Sequence, residues 1–272
     1  MGHQDDLLRV LKETSRTFFL PITRLPDVLQ EVIGAAYLCM RAVDEIEDHP
    51  TLENAEKTAL LRGLSSTLQA RLASHNPDQW SALEKLFSPY TKILPEVTLE
   101  IHGWLSRLPL GIAPRIWDAT IAMADRMAFW VDKKWLIQSQ DDLDSYTYSV
   151  AGAVGLLLCD IWTWFDNSQF DRISAVQFGR GLQSVNILRN RQEDMQRGVD
   201  FYPHGWQDSH MFAYARKNLD LAKKGMTDLT QEAFKGLVQI PLALAEATLG
   251  VMEKGQTKLT RGQVLEIINQ AG

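Results

Sequence analysis

Residues 28–48 read VLQEVIGAAYLCMRAVDEIED, and this stretch decides the fold class. Its apolar side chains recur at the three- and four-residue steps of a helix and not at the two-residue steps of a strand. The same spacing returns along the whole chain, and clusters of Pro and Gly interrupt it, for example at 21–26, 109–114 and 202–206. The pattern predicts an all-α protein of eight or nine helices.

The composition is that of a globular chain that can bury a full core, with 45% hydrophobic residues among 272. We find no repeat, low-complexity tract or linker, which predicts a single domain over residues 1–272. Cys39 and Cys159 both lie in apolar helical patterns, so we expect buried free thiols. The net charge of -6 argues against a nucleic-acid partner, because binding a phosphate backbone needs a basic surface.

The end of the opening stretch carries an acidic pair. Asp44 and Asp48 are four residues apart, so on a helix both carboxylates project from one face, and Arg41 lies one turn earlier. Mg²⁺ is often held by one or two carboxylates together with substrate phosphates, which such a pair can supply. The alternative is a solvated helix end that forms a salt bridge with Arg41. We call residues 37–48 the first acidic motif.

A second polar stripe lies in residues 181–194, GLQSVNILRNRQED, which we call the second acidic motif. Gln183 comes one turn before Asn186, and Asn190 and Asp194 follow at four-residue steps on the same helix face. Asn186 lies among apolar neighbours and would need hydrogen-bond partners if buried. The stripe fits a ligand site, and it also fits amides that only satisfy neighbouring helices.

Five segments, taken in order, together resemble the squalene, dehydrosqualene and phytoene synthase family. They are residues 15–26, the first acidic motif, residues 142–155, the second acidic motif and residues 258–263. The third is the most specific, because Tyr146-Thr-Tyr-Ser-Val-Ala-Gly-Ala-Val-Gly155 is similar to the family signature Tyr-x-x-x-Val-Ala-Gly-x-Val-Gly. The resemblance implies a single-domain isoprenoid-synthase helical bundle in which the two acidic motifs face each other across a central cavity.

Site roles follow from the resemblance, position by position. Asp44, Asp48, Asn190 and Asp194 would be the metal ligands, with Glu45 and Glu193 nearby, and Asp44, Asp48, Tyr146, Arg189 and Asp194 would be catalytic. Arg41 and Arg189 would hold diphosphate oxygens, as the bidentate guanidinium fork allows. The remaining substrate-binding positions would be Ser15, Phe18, Tyr146, Val150, Ala151, Gly155, Gln183 and Asn186. Gly152 and Gly155 also fit simple close packing of helices.

The chain departs from the family pattern twice. Asn190 stands where the family usually has Asp, and Val199 stands where it has Arg before an aromatic pair and Pro. Replacing a carboxylate by an amide about 4 Å from a cation removes about 4 kcal/mol per unit of cation charge at an effective dielectric constant of about 20. We therefore expect weaker metal binding at the second acidic motif.

The implied reaction joins two prenyl diphosphates head-to-head through a cyclopropylcarbinyl diphosphate, with Mg²⁺ as cofactor. Residues 258–263 look more like squalene than phytoene synthases, which favours farnesyl diphosphate, and a reductive second step would require NADPH. Two alternatives stay open. One is a class I terpene cyclase acting on a single prenyl diphosphate, which the Asn186, Asn190, Asp194 stripe favours; the other is a non-catalytic prenyl-diphosphate binder.

The location is expected to be cytoplasmic, with transient peripheral membrane contact where a lipid product leaves. Apolar stretches such as residues 154–159 are far shorter than the roughly 20 residues that span a bilayer. No obligate protein partner is evident in the sequence.

Overall fold

The computed structural model describes residues 3–15, 17–73, 79–225 and 232–271. Over these ranges the secondary structure is helical, with no strand, which confirms the all-α prediction. The described residues hold fourteen α-helices and not eight or nine, because short helices such as Phe19–Thr23, Glu96–Leu99 and Ile101–Ser106 are separate elements. Proline stands in or beside the first two of these, where a ring without an N–H interrupts the helical hydrogen bonds.

The chain divides into two compact units, which we describe separately. Unit 1 comprises residues 1–19, 27–134 and 164–166, and unit 2 comprises residues 20–26, 135–163 and 167–272. The prediction of one domain over residues 1–272 remains a proposal.

Unit 1 is built around a long buried helix, α3, which spans Asp27–Glu47. The other helices of unit 1 are α1 His3–Thr14, α4 Asn54–Ala73, α5 Gln79–Phe87, α6 Glu96–Leu99, α7 Ile101–Ser106 and α8 Ala113–Asp132. Fourteen residues of α3 are buried, among them Val32, Ile33, Ala36, Met40 and Val43. These are the apolar positions of the opening stretch, so the helical periodicity correctly identified the buried face.

Unit 2 contains the remaining helices. Most of the short α2, Phe19–Thr23, belongs to it, and its other helices are α9 Gln140–Thr147, α10 Ala153–Asp166, α11 Arg172–Gln196, α12 Asp208–Gly225, α13 Glu232–Met252 and α14 Arg261–Ala271. A π-helical segment at Tyr148–Gly152 joins α9 to α10. Helix α9 begins with a capping box between Ser139 and Asp142, and α11 begins where the Asp171 carboxylate accepts the N–H of Ile173.

Both cysteines are buried free thiols, as predicted. Burial raises the pKa of Cys39 and Cys159 above the ordinary thiol value, so neither is poised as a thiolate nucleophile.

Two helices are long and apolar enough to cross a bilayer by length and composition, Gln140–Asp166 and Phe234–Met252. Neither helix is an uninterrupted apolar run, so the length of such runs in the sequence did not indicate them. A buried helix of a soluble protein passes the same test, and Gln140–Asp166 contains the α10 residues that pack closely on α11. The two helices are therefore weak evidence for a membrane span.

Candidate active site

The first acidic motif lies on one face of the last three turns of α3. Tyr37, Arg41, Asp44 and Asp48 follow one another at steps of four, three and four residues. Asp44 is half-buried and Asp48 is exposed. Burial, reinforced by the like charge of Asp48, raises the pKa of Asp44 to about 8, although Arg41 opposes the shift. The Asp44 carboxyl therefore keeps its proton through neutral pH in the metal-free protein, and a cation bound beside it would favour the ionised form.

Arg41 is oriented by the neighbouring carboxylate of Glu45, one turn farther along α3. Its Nη2 lies 2.5 Å from Glu45 Oε1, so the salt bridge expected for Arg41 goes to Glu45. The Nε atom of Arg41 is buried and has no hydrogen-bond partner. A buried guanidinium N–H without an acceptor is costly, and an anion such as a diphosphate oxygen would satisfy it.

The C-terminal end of α3 is held by two residues that sequence reasoning missed. Lys57, on α4, donates its ammonium group to the Glu47 carbonyl at 2.6 Å. His49 accepts the Thr51 N–H at Nδ1, which leaves Nε2 as the donor to the Ile93 carbonyl at 3.1 Å. These contacts fix the last turn of α3 and therefore the place of Asp48. A basic residue nine positions after the first acidic motif gives no signal by itself.

Ser15 and Phe18, which the resemblance assigns to substrate binding, lie close to Tyr37 at the start of the first acidic motif. The Ser15 hydroxyl accepts the Phe18 N–H at 3.0 Å, and the Tyr37 phenol donates to the Thr14 carbonyl at 3.3 Å. The Phe18 and Tyr37 ring centroids are 5.8 Å apart. Burial raises the pKa of Tyr37, so its phenol stays neutral and can donate a hydrogen bond. The aromatic rings of Phe18 and Tyr37 thus lie on the same side of α3 as the acidic pair.

The second acidic motif lies on α11, where its side chains bond to one another. Asn186 Oδ1 accepts from Arg189 Nη2 at 2.5 Å and from Asn190 Nδ2 at 3.3 Å, and Arg189 Nε donates to Asn190 Oδ1 at 3.2 Å. Asn186 and Asn190 are half-buried, as is Gln183, while Arg189 is exposed. The amides are therefore bonded along their own helix, and these bonds do not require a neighbouring helix.

Asp194, at the end of this stripe, is paired with an arginine. Arg197 Nη2 lies 2.5 Å from Asp194 Oδ1, and the Asp194 side chain is only 9% exposed. Arg197 caps the C-terminus of α11. The Asp194 carboxylate of the second acidic motif is thus already paired with a positively charged side chain.

The two motifs differ in how well they fit a divalent cation. The described residues contain no group of three or more His, Cys, Asp and Glu side chains arranged to hold a metal. The acidic pair Asp44 and Asp48, in which burial disfavours the charged form of Asp44, lies near a buried Arg41 N–H without a partner, and this arrangement suits Mg²⁺ that takes its other ligands from water and diphosphate. The first acidic motif therefore fits the cation, whereas Asn190 and the paired Asp194 do not fit it as they stand.

The signature segment of residues 142–155 coincides with the π-helical segment. Val150 and Ala151 lie within it, Tyr146 precedes it and Gly155 follows it. A single π turn inside an α-helix is rare and occurs often at functional sites. The buried Tyr146 ring stacks on Phe201 with centroids 4.6 Å apart. The structure thus brings Tyr146 together with the loop after α11.

The glycines of this region permit helices to approach closely. A Cβ at Gly155 would lie 2.0 Å from the Ala175 carbonyl oxygen, and one at Gly179 would lie 2.2 Å from the Ala151 carbonyl oxygen. Both contacts are with backbone that cannot move aside cheaply. The close-packing interpretation holds for Gly155, and it also explains how Ala151 is placed against α11.

A polar cluster that sequence reasoning missed ties α9 to α11 and α12. Tyr214 donates its hydroxyl to Asp144 Oδ1 at 2.5 Å, and Arg180 Nη2 donates to the Asp144 carbonyl at 3.1 Å. The Arg180 Nε is buried without a partner. Arg180 lies one turn before Gln183 on the polar stripe, and this spacing is the signal that could have identified it.

The loop after the second acidic motif is held by another arginine. Arg191 binds Asp200 and Asp208 at 3.0 and 2.8 Å, and its guanidinium lies 3.6 Å above the Tyr202 ring. Val199 itself makes a backbone bond to the Asp194 carbonyl at 3.0 Å. Arg191 thus supplies a loop contact from α11, close in sequence to the position where the family has its loop arginine.

Comparison with known proteins decides the family. The family model for squalene/phytoene synthase matches residues 11–267, nearly the entire chain. The chain belongs to the squalene/phytoene synthase family. Human squalene synthase is 27% identical over 305 residues, covering 97% of this chain and 68% of the human protein.

Solved structures of the family share the fold. The complex of TcSQS with the ligand E5700 superposes with a TM-score of 0.77 at 20% identity, covering 99% of this chain and 86% of that one. A dehydrosqualene synthase in complex with a ligand gives a TM-score of 0.66 at 17% identity, with 99% and 95% covered. The predicted isoprenoid-synthase helical bundle is confirmed. As a squalene/phytoene synthase family member, the chain is a prenyltransferase of isoprenoid biosynthesis.

Proposed function

We propose that this enzyme condenses two prenyl diphosphates head-to-head, with farnesyl diphosphate as substrate and Mg²⁺ held by Asp44 and Asp48. The observation that carries the proposal is the half-buried Asp44 carboxylate, whose pKa is raised to about 8 beside Asp48 and an unpartnered Arg41 N–H. A cation would stabilise the ionised Asp44 carboxylate, and an anion would accept the Arg41 N–H. A magnesium diphosphate provides both.

The chemistry requires no protein nucleophile. Mg²⁺, when bound, would stabilise negative charge on a departing diphosphate. Arg41 would bind diphosphate oxygens through its buried Nε and through Nη atoms that Glu45 orients. Ser15 and Phe18 would position one prenyl chain beside Tyr37.

On unit 2, residues of the signature segment would position and protect the reacting carbons. Tyr146, Val150, Ala151 and Gly155 would line the prenyl site, and Arg189 would bind the second diphosphate. Loss of diphosphate from one substrate would let its C1 bond to the C2–C3 double bond of the other, forming a cyclopropylcarbinyl diphosphate with release of a proton. Apolar side chains around a carbocation would exclude water and so prevent its capture.

Product analysis tests the proposal. The enzyme is incubated with Mg²⁺ and farnesyl or geranylgeranyl diphosphate, with and without NADPH, and products are identified by mass spectrometry. A C30 product from farnesyl diphosphate is expected, and dependence on NADPH would establish a reductive second step. Cyclic C15 or C20 products would instead support the terpene cyclase, which the helical alignment of Asn186, Asn190 and Asp194 favours. Binding without release of diphosphate would support a non-catalytic binder.

A further inference from the structure

The second acidic motif of this chain is paired with a positively charged side chain, the guanidinium of Arg197. Asp194 has a side chain only 9% exposed, and Arg197 lies against it as an i,i+3 partner. A buried carboxylate that is paired with a guanidinium is held strongly, because removing either partner leaves an uncompensated charge. Any divalent ion that used Asp194 would have to compete with Arg197 for it.

Asn190, one turn before Asp194, carries no negative charge that would attract a metal ion. Asn190 is an amide, its Nδ2 donates to Asn186, and its Oδ1 accepts from Arg189. Two guanidinium groups therefore contact the stripe, Arg189 at its centre and Arg197 at its end. One carboxylate of the stripe thus faces two guanidinium groups, and this net positive charge disfavours a divalent ion.

We propose that Arg197 takes the place of a metal ion at the second acidic motif, so that α11 binds diphosphate through guanidinium groups and divalent cations are held at the first acidic motif alone. Guanidinium groups bind phosphate oxygens directly and bidentately, so the anion needs no bridging metal on this side. The inference rests on the proposed function in that it takes a prenyl diphosphate as the ligand.

The experiment counts bound Mn²⁺ by electron paramagnetic resonance, with a thiolated farnesyl diphosphate as the probe. The parent for comparison is the Asp44→Asn, Asp48→Asn variant, in which the first acidic motif has lost its charges. With Arg197 present, no Mn²⁺ should bind beyond the amount that the analogue holds by itself. Adding Arg197→Gln should create a site for one Mn²⁺ per chain, because it removes the guanidinium that competes with a divalent ion for Asp194.

Two further variants control the measurement. Arg216→Gln removes another guanidinium of unit 2, one that is paired with Glu253, and should leave the Mn²⁺ count unchanged. Arg197→Gln combined with Asp194→Asn removes both charges and should abolish the new site. Circular dichroism verifies that each variant is folded.

A Mn²⁺ bound at the second acidic motif while Arg197 is intact would overturn the inference, and this measurement needs no Arg197 variant to fold. Failure of the proposed function would look different. In that case the chain with Asp44 and Asp48 intact would bind no Mn²⁺ with the analogue, or would release no diphosphate from farnesyl diphosphate.

Discussion

The ends of α3 and α11 bear comparable motifs in opposite electrostatic states. At the end of α3, burial and the like charge of Asp48 raise the pKa of Asp44, and Arg41, which is paired with Glu45, opposes the shift only in part. At the end of α11, the buried carboxylate of Asp194 is paired with Arg197, and the amides before it are bonded together with Arg189. A bound cation would stabilise the carboxylates at the end of α3, whereas Asp194 of α11 already has a cationic partner in Arg197.

If our proposal is correct, a family motif does not by itself specify a metal site. What a motif binds depends on the charges that surround it, and a side chain three residues away can supply the charge that a metal would bring. The contrast between α3 and α11 leads to four predictions, taken from the largest expected effect to the smallest.

Removing either carboxylate of the first acidic motif should abolish most of the activity. Asp44→Ala and Asp48→Ala should each lower kcat by orders of magnitude, since charge stabilisation at a leaving group is usually a large part of catalysis. The amount of folded protein should change little, because the two like charges oppose stability. Turnover of farnesyl diphosphate and circular dichroism measure the two quantities.

Asp118→Ala is the matched control, since it removes an exposed carboxylate of the same unit on α8. It should leave turnover unchanged. Near-normal turnover and an intact Mg²⁺ requirement in Asp44→Ala would place the metal site elsewhere.

The second region depends on close packing, which a single methyl group should disrupt. Gly155→Ala places a Cβ 2.0 Å from a backbone oxygen of α11, so we expect the free energy of unfolding to fall by about 3 kcal/mol. Gly236→Ala is the control, because nothing lies within 4 Å of its added Cβ, and in a helix it should stabilise by about 0.5–1 kcal/mol. Urea denaturation measures both, and equal effects in the two variants would refute the close-packing interpretation.

These regions also show what could be predicted from sequence. The periodicity of α3 identified the helix and its buried face, since burial of apolar side chains follows local spacing. Ser15 and Phe18 were inferred to bind substrate from the family resemblance, and the structure places both close to Tyr37. The roles of Asn190 and Asp194 as metal ligands were also inferred by resemblance and remain predictions.

Other features depend on contacts that sequence spacing does not reveal. Lys57 reaches the Glu47 carbonyl from another helix, and Tyr214 reaches Asp144 across 70 positions of the chain. The π-helical segment forms where glycines let α10 and α11 approach each other, which the periodicity does not indicate. Arg197 could have been found, because it is an i,i+3 neighbour of Asp194, but its importance depends on the burial of that carboxylate.

The charge imbalance at Asp44 should make the metal-free protein sensitive to pH. Its pKa is about 8 in the folded chain and 3.8 in the reference state, so folding favours the protonated carboxyl. The stability that this proton contributes is present below about pH 4 and is lost as the pH rises towards 8. Thermal melts with a chelator should therefore show the Tm of the wild type falling relative to that of Asp44→Asn over this range.

Parallel pH profiles of the wild type and Asp44→Asn would show that Asp44 ionises normally. Added Mg²⁺ with inorganic diphosphate should reduce the divergence by compensating the Asp44 charge.

The smallest effect is expected from Asn190→Asp, which makes the second motif more like the first. The new carboxylate lies one turn before Asp194 and keeps an acceptor for Arg189, but it loses the donor that now binds Asn186. Two carboxylates would then face Arg197 and Arg189, and the added charge should favour a divalent ion. We expect the Mg²⁺ concentration at half-maximal rate to fall a few-fold with the product unchanged.

The direction of this change separates the two possible functions of the amide. In a head-to-head synthase the added negative charge strengthens Mg²⁺ binding at the second acidic motif, so the Mg²⁺ requirement falls. In a cyclase whose Asn186, Asn190 and Asp194 act as a set, the carboxylate disturbs the amide geometry, so turnover decreases or the product distribution broadens. Asn190→Ser serves as the neutral control, because it keeps a hydroxyl oxygen without adding charge. If Asn190→Asp alters neither the Mg²⁺ dependence nor the products, Asn190 is a structural amide of α11, and the contrast between the motifs then rests on Asp194 and Arg197 alone.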